Sequence, residues 1–223
     1  MAEKYTNPVK KIIPSKLETG YQQLMYKLLG KHIPKNMTPN QVTAVGVFGG
    51  AAAIVFALLA RISPLFYIGT IAGLWVHMTA DVLDGYVART RGMSSRAGAY
   101  FDLISDVLIS TFLILAFGLS PFAHLEIAAF AAPLYGVMNV TMMNYIIYFN
   151  EFLFPRLGPI EAHIAYCVFC ILAMVFGSAP LFTVAGIGIL AGDIFMIVGT
   201  LPMYYEMIRM AVGLFKRLNG LEK

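Results

Sequence analysis

Six long apolar runs, near 42–60, 64–88, 97–119, 125–149, 162–178 and 180–203, take up most of this 223-residue chain. A helix that crosses a hydrocarbon core roughly 30 Å thick needs about 20 mostly apolar residues, and each run meets or approaches that length. Only 13% of the residues are charged, about half the share usual in soluble domains. The expected fold is an all-α integral membrane protein: one bundle of six transmembrane helices with no separate soluble domain. Gly- and Ala-rich stretches such as VGVFGGAAA (45–53) and VAGIGILAG (184–192) suit helices that approach closely in a membrane.

Basic residues orient the bundle, because Lys- and Arg-rich loops stay cytoplasmic. Of the sixteen Lys and Arg residues, all but Arg61 fall on one side if the six runs span. Both termini and the loop holding Arg89, Arg91 and Arg96 are therefore expected in the cytoplasm. The net charge of +4 sits at membrane boundaries, which points to anionic lipid headgroups and not to nucleic acid. No apolar signal core precedes residue 41, so insertion is expected through the first span. Cys167 and Cys170 lie inside the fifth run, where a thiol has no accessible thiolate chemistry; they read as structural.

Residues 1–37 form a cytoplasmic and interfacial segment, 38–215 the six-helix domain, and 216–223 a tail. Within the first, residues 15–33 place Leu17, Tyr21, Leu24, Leu28 and Leu29 on one stripe and Lys16, Lys27 and Lys31 towards the other side. That pattern fits an amphipathic helix lying in the interface; a helix packed on a partner is the alternative. KNMTPNQVT follows, with Thr38 or Asn40 as a cap and Pro39 at the first turn of the next helix. Its free backbone N–H groups suit an anion.

Four of the twelve acidic residues fall between Asp81 and Asp106, inside the second and third runs. Asp81 and Asp84 are three residues apart, and Asp102 and Asp106 are four apart, so each pair shares one helix face. RTRGMSSRAG between them supplies the small residues of a tight turn, which brings all four carboxylates to one depth. A charge in a spanning helix costs about 2.5–3.5 kcal/mol on insertion scales, and like charges add repulsion. Hard divalent cations that prefer oxygen ligands relieve both penalties, and two of them would clamp a phosphoryl group in transfer. Salt bridges with Arg89 and Arg91 are the plainer alternative. They leave the small Gly85, Ala88 and Gly98 without a purpose.

The stretch D-x2-D-G-x2-A-R-x8-G-x3-D-x3-D, met here by Asp81, Asp84, Gly85, Ala88, Arg89, Gly98, Asp102 and Asp106, resembles the signature of the CDP-alcohol phosphotransferases. The resemblance implies transfer of a substituted phosphate from a CDP-linked donor to an alcohol hydroxyl, with release of CMP. It implies two divalent cations, Mg²⁺ or Mn²⁺, on Asp81, Asp84 and Asp102, with Asp106 as the general base that also contacts metal. Gly85, Arg89, Ser95 and Gly98 would line the nucleotide pocket, with Arg89 on the diphosphate. PNQVT (39–43) is similar to an element of the family's first span and adds Asn40 and Thr43 as donor contacts. The resemblance also implies a homodimer.

Leu103 stands where the choline and ethanolamine branch carries histidine, which favours a CDP-diacylglycerol-like lipid donor over a small CDP-alcohol with a diacylglycerol acceptor. Two rival classes are a cation transporter, whose site lies near the midplane between repeats or broken helices, and an intramembrane aspartyl protease, which needs two acids sharing a proton. Among other polar residues, His77 reads first as a packed histidine and second as a partner of the acids. Arg156, Glu161 and His163 read equally as a helix start or as acceptor contacts. Asp193 is expected near the opposite leaflet, with a function suggested by its ionisable side chain. Asn139, Thr141 and Asn144 are expected to bond between helices.

Overall fold

A computed structural model describes residues 10–13 and 15–221; expectations for residues 1–9, 14, 222 and 223 lie outside the described residues. The elements in order are β1 (Lys10–Ile12), α1 (Lys16–Leu28), α2 (Pro39–Leu59), α3 (Tyr67–Thr90), α4 (Arg96–Gly118), α5 (Leu125–Ala131), α6 (Pro133–Phe149), β2 (Glu151–Leu153), α7 (Pro159–Phe176), β3 (Phe182–Val184), β4 (Ile187–Ile189) and α8 (Ala191–Leu221).

Caps in the sequence decide where the site-forming helices begin. Thr38 accepts from Gln41 N at 3.3 Å while the Gln41 side chain accepts from Thr38 N at 2.8 Å, with Pro39 at the first position of α2. This reciprocal box satisfies donors that the helix cannot, and it leaves Asn40 clear of capping duty. Ser15 starts α1 by accepting from Glu18 N at 3.0 Å. Glu18 then accepts from Ile160 N at 3.2 Å, and Ser15 donates to Glu161, so α1 is tied to the start of α7. Leu17, Leu24, Leu28 and Leu29 remain exposed.

Gly46, Gly49, Gly50, Ala53 and Ala57 form a buried, nearly smooth face along α2. A Cβ on Gly73 would lie 2.5 Å from the Gly49 carbonyl oxygen, and one on Gly50 would lie 2.5 Å from Ile109 Cδ1. Such distances leave no room for a side chain, so α2 meets α3 almost backbone to backbone and takes the Ile109 side chain of α4 against Gly50, as small residues permit in membranes.

Among the described residues, five segments are long and apolar enough to cross a membrane: Pro39–Leu59, Pro64–Thr90, Arg96–Gly118, Leu125–Phe149 and Pro159–Phe176. The sixth run departs from expectation. Its first part, 182–189, is an antiparallel hairpin, and its helix starts only at Ala191. Pro180 is unsuited to a helix interior, and Ala185 and Gly186 both take positive φ, 50° and 85°, the geometry of a two-residue hairpin turn. The bundle is therefore helical with two small ladders, the second pairing β1 in parallel with β2. Asn139, Thr141 and Asn144 also differ from expectation: each bonds the carbonyl four residues back, on Tyr135, Val137 and Val140, within its own helix.

Asp193 lies in the first turn of α8 and is fully buried. Its carboxylate accepts from His124 N at 2.7 Å, Leu190 N at 2.9 Å and the His124 ring at 2.7 Å. His124 follows the end of α4 remote from Asp102 and Asp106, so this charge holds the opposite end of the bundle together. Asp193→Ala is expected to cost about 3 kcal/mol, because buried donors lose a charged partner. Thermal unfolding in detergent should show the loss while the Michaelis constants of the folded fraction stay unchanged.

Candidate active site

Asp81 and Asp84 sit on the last turns of α3, and Asp102 and Asp106 on the first turns of α4. Gly92 makes the connection by taking φ of 63°, with Met93 N donating to Ala88 O at 2.9 Å. Ser95 then caps α4 by accepting from Gly98 N at 3.0 Å. Asp84 lies as far before the end of α3 as Asp102 lies after the start of α4. The two carboxylate pairs consequently meet at one depth.

Carboxylate oxygens of Asp81, Asp102 and Asp106 come within 4.8 Å of one another. Asp84 is buried beside them and accepts from Thr43 Oγ1 at 2.5 Å. The donors are all hard oxygens, converge from two helices and carry like charge, which fits Mg²⁺ or Mn²⁺ better than soft or nitrogen-seeking metals. Asp106 keeps 19% of its side-chain surface accessible, so a second molecule has a way to it.

The nucleotide-contact expectations divide. A Cβ on Gly98 would lie 2.8 Å from Asn40 Oδ1 and 3.0 Å from Ser95 Oγ, so these three residues share one corner at the mouth of the acid cluster. A Cβ on Gly85 would lie 2.9 Å from Arg89 Nη1, which places Arg89 across its own helix face. Thr43 is the exception, since its hydroxyl is spent on Asp84 and on the Pro39 carbonyl. It orients a carboxylate instead of reaching outward. Thr43→Val is expected to weaken divalent-ion affinity about tenfold, the usual effect of losing a group that orients a metal ligand; titration of activity with Mg²⁺ checks this.

Arg91 does not approach a substrate position. Its guanidinium donates to the carbonyls of Ile33, Pro34, Lys35 and Met37, the shortest at 2.6 Å, and clasps the link between α1 and α2. Glu161 is likewise used in the scaffold, accepting from Gly158 N at 2.9 Å at the start of α7 and from Ser15 before α1. Arg156 N donates to Glu206, which also receives the Arg209 fork.

Three residues at the site escaped the sequence reading or were ranked low in it. Tyr26 on α1 accepts from Arg89 Nη2 at 2.8 Å and stacks on Tyr86 with ring centroids 4.9 Å apart. Tyr135 on α6 lies near enough to Asp106, Asp81 and Asp102 to feel their charges. His77 places Nε2 3.6 Å from Asp106 Oδ1. For His77 the signal was present, one helical turn before Asp81; for the tyrosines it lies in tertiary packing.

Residues 36–205 match the CDP-alcohol phosphatidyltransferase family. The chain belongs to that family. A 70-residue stretch is 41% identical to the phosphatidylinositol phosphate synthase of Mycobacteroides abscessus, covering 31% of this chain and 30% of that relative.

Proposed function

We propose that the protein transfers a phosphatidyl group from a CDP-diacylglycerol-like lipid to the hydroxyl of a polar alcohol, releasing CMP. The observation that carries this reading is the convergence of Asp81, Asp102 and Asp106 within 4.8 Å in a chain of this family. Asp81, Asp84, Asp102 and Asp106 would hold two divalent cations, Mg²⁺ or Mn²⁺. When bound, such ions neutralise the diphosphate and stabilise charge on the transferring phosphoryl group.

The chain's own residues supply positioning and the proton acceptor. Arg89 grips the diphosphate, while Gly85, Asn40, Ser95 and Gly98 leave room for and contact the cytidine end. Thr43 supports Asp84. Asp106 takes the proton of the acceptor hydroxyl. The acceptor oxygen bonds to the phosphorus that carries diacylglycerol, the bridging P–O bond breaks, and CMP departs with its electron pair.

The rest of the molecule serves this arrangement. Six spans, the sixth in α8, put both termini and the site on the cytoplasmic side, where Arg89, Arg91 and Arg96 belong by charge. Residues 1–37 lie at the interface, 38–215 form the catalytic bundle, and 216–223 continue into the cytoplasm. The working unit is a homodimer in contact with membrane lipids. A synthase that makes a phosphatidylinositol phosphate as the relative favours a lipid donor and an acceptor of the polyol class.

Incubation of purified protein with each radiolabelled CDP donor and a panel of alcohols tests the assignment. CMP release with CDP-diacylglycerol and a polar alcohol is expected. Release with CDP-choline or CDP-ethanolamine plus diacylglycerol, and none with CDP-diacylglycerol, would reverse donor and acceptor.

A further inference from the structure

His77 occupies α3 one turn before Asp81 and is 3% exposed. Its Nδ1 is the one buried side-chain nitrogen or oxygen among the described residues that has no hydrogen-bond partner. An unmet buried polar atom costs about 1–3 kcal/mol, whereas leucine or phenylalanine would fill the same space without that cost. The opposite ring nitrogen, Nε2, points to Asp106 Oδ1 at 3.6 Å.

The ring is held from two sides. Its centroid lies 5.3 Å from that of His163 on α7, and His163 is itself anchored by Nδ1 on the Pro159 carbonyl at 2.8 Å. On the α2 side, Gly46 packs against the Nδ1 edge: a Cβ there would lie 3.5 Å from that nitrogen and 3.0 Å from Ala80 Cβ. His77 is not in the group whose ligand atoms lie within 4.8 Å of one another, so its geometry is that of a neighbour to the acid cluster and not of a metal ligand.

From the 3.6 Å approach, the unpartnered Nδ1 and the bracing by His163, we infer that His77 is the positioning residue of Asp106. Its Nε2–H fixes the rotation of the Asp106 carboxylate so that the group is presented to the acceptor hydroxyl. The contact is longer than a formed hydrogen bond; bonds of this kind commonly tighten only once substrate is in place. The assignment rests on the reading of Asp106 as the base.

Two amide substitutions separate this role from packing. The His77→Gln side chain carries its nitrogen about where Nε2 sits, while His77→Asn carries it nearer Nδ1; both are neutral, polar and similarly buried. His77→Asn and His77→Phe are expected to lose about 10- to 100-fold in kcat, in the range seen when a supporting hydrogen bond to a functional group is removed. His77→Gln is expected to recover most of it, with KM for the CDP donor, and donor binding by the unreacting protein, within about twofold for all three. Equal kcat for His77→Gln and His77→Asn would overturn the assignment, as would losses confined to KM or to thermal stability. Asp106→Asn is measured alongside: full activity there overturns the base reading and this inference with it, whereas its inactivity together with equal amide variants overturns the inference alone.

Discussion

Asp106→Asn is expected to lower turnover by about 10³-fold, within the range that a positioned general base contributes, while CDP-donor binding survives within a few fold. The separation follows from where the carboxylates stand. Asp106 keeps a partly open side chain and meets His77 on its far side, whereas Asp84 is enclosed with Thr43. An amide at position 106 preserves size and accepts hydrogen bonds but cannot take the acceptor's proton. Asp81, Asp84 and Asp102 remain to hold the cations that would bind the donor's diphosphate. Stopped-turnover binding of labelled CDP donor, set beside steady-state CMP release, reads both quantities; normal transfer by the variant would remove Asp106 from the role of base.

Asp102→Asn is expected to abolish measurable activity and metal affinity together. Asp102 lies within 4.8 Å of oxygens from both Asp81 on α3 and Asp106 on α4, so its loss removes a ligand that shares its site with carboxylates of both helices. Removing one of four charges also lessens the repulsion that an absent cation would leave, so the variant is expected to be at least as heat-stable as the parent without divalent ions. That pairing of lost function with retained or increased stability is the signature of a binding site as opposed to a structural ion network. A variant that lost stability in parallel with activity would favour the salt-bridge alternative. Titration calorimetry with Mn²⁺ and thermal unfolding with and without it supply the two measurements.

Much of this site was legible because it is local in sequence. Spacings of three and four on helices, a small-residue turn between them and caps at Thr38 and Ser95 fix where Asp81, Asp84, Asp102 and Asp106 stand relative to one another. Contacts made across helices were not legible. Thr43 reaches Asp84 because Gly46, Gly49 and Gly50 bring α2 against its neighbours, a depth of approach that no single-helix pattern states. Tyr26 reaches Arg89 because Arg91 clasps the 33–37 link and folds α1 back towards the site. His77 was visible on the right helix face, but its reach to Asp106 depends on the packing of α3 on α4. Hydropathy misplaced the start of α8, since the residues of the 182–189 hairpin are as apolar as a span and only the turn chemistry at Ala185 and Gly186 distinguishes them. Asp193 showed the reverse error: an ionisable residue in an apolar run proved to be partnered by two backbone N–H groups and the His124 ring.

The central claim is that these aspartates form a divalent-dependent site for a CMP-releasing transfer. Its most direct test is CMP release by protein stripped of metal with EDTA, given CDP-diacylglycerol and polar alcohols, before and after Mg²⁺ or Mn²⁺ is restored. Release is expected to be absent in the stripped protein and to return with either ion in the parent but not in Asp102→Asn. Full turnover in excess EDTA would contradict the account.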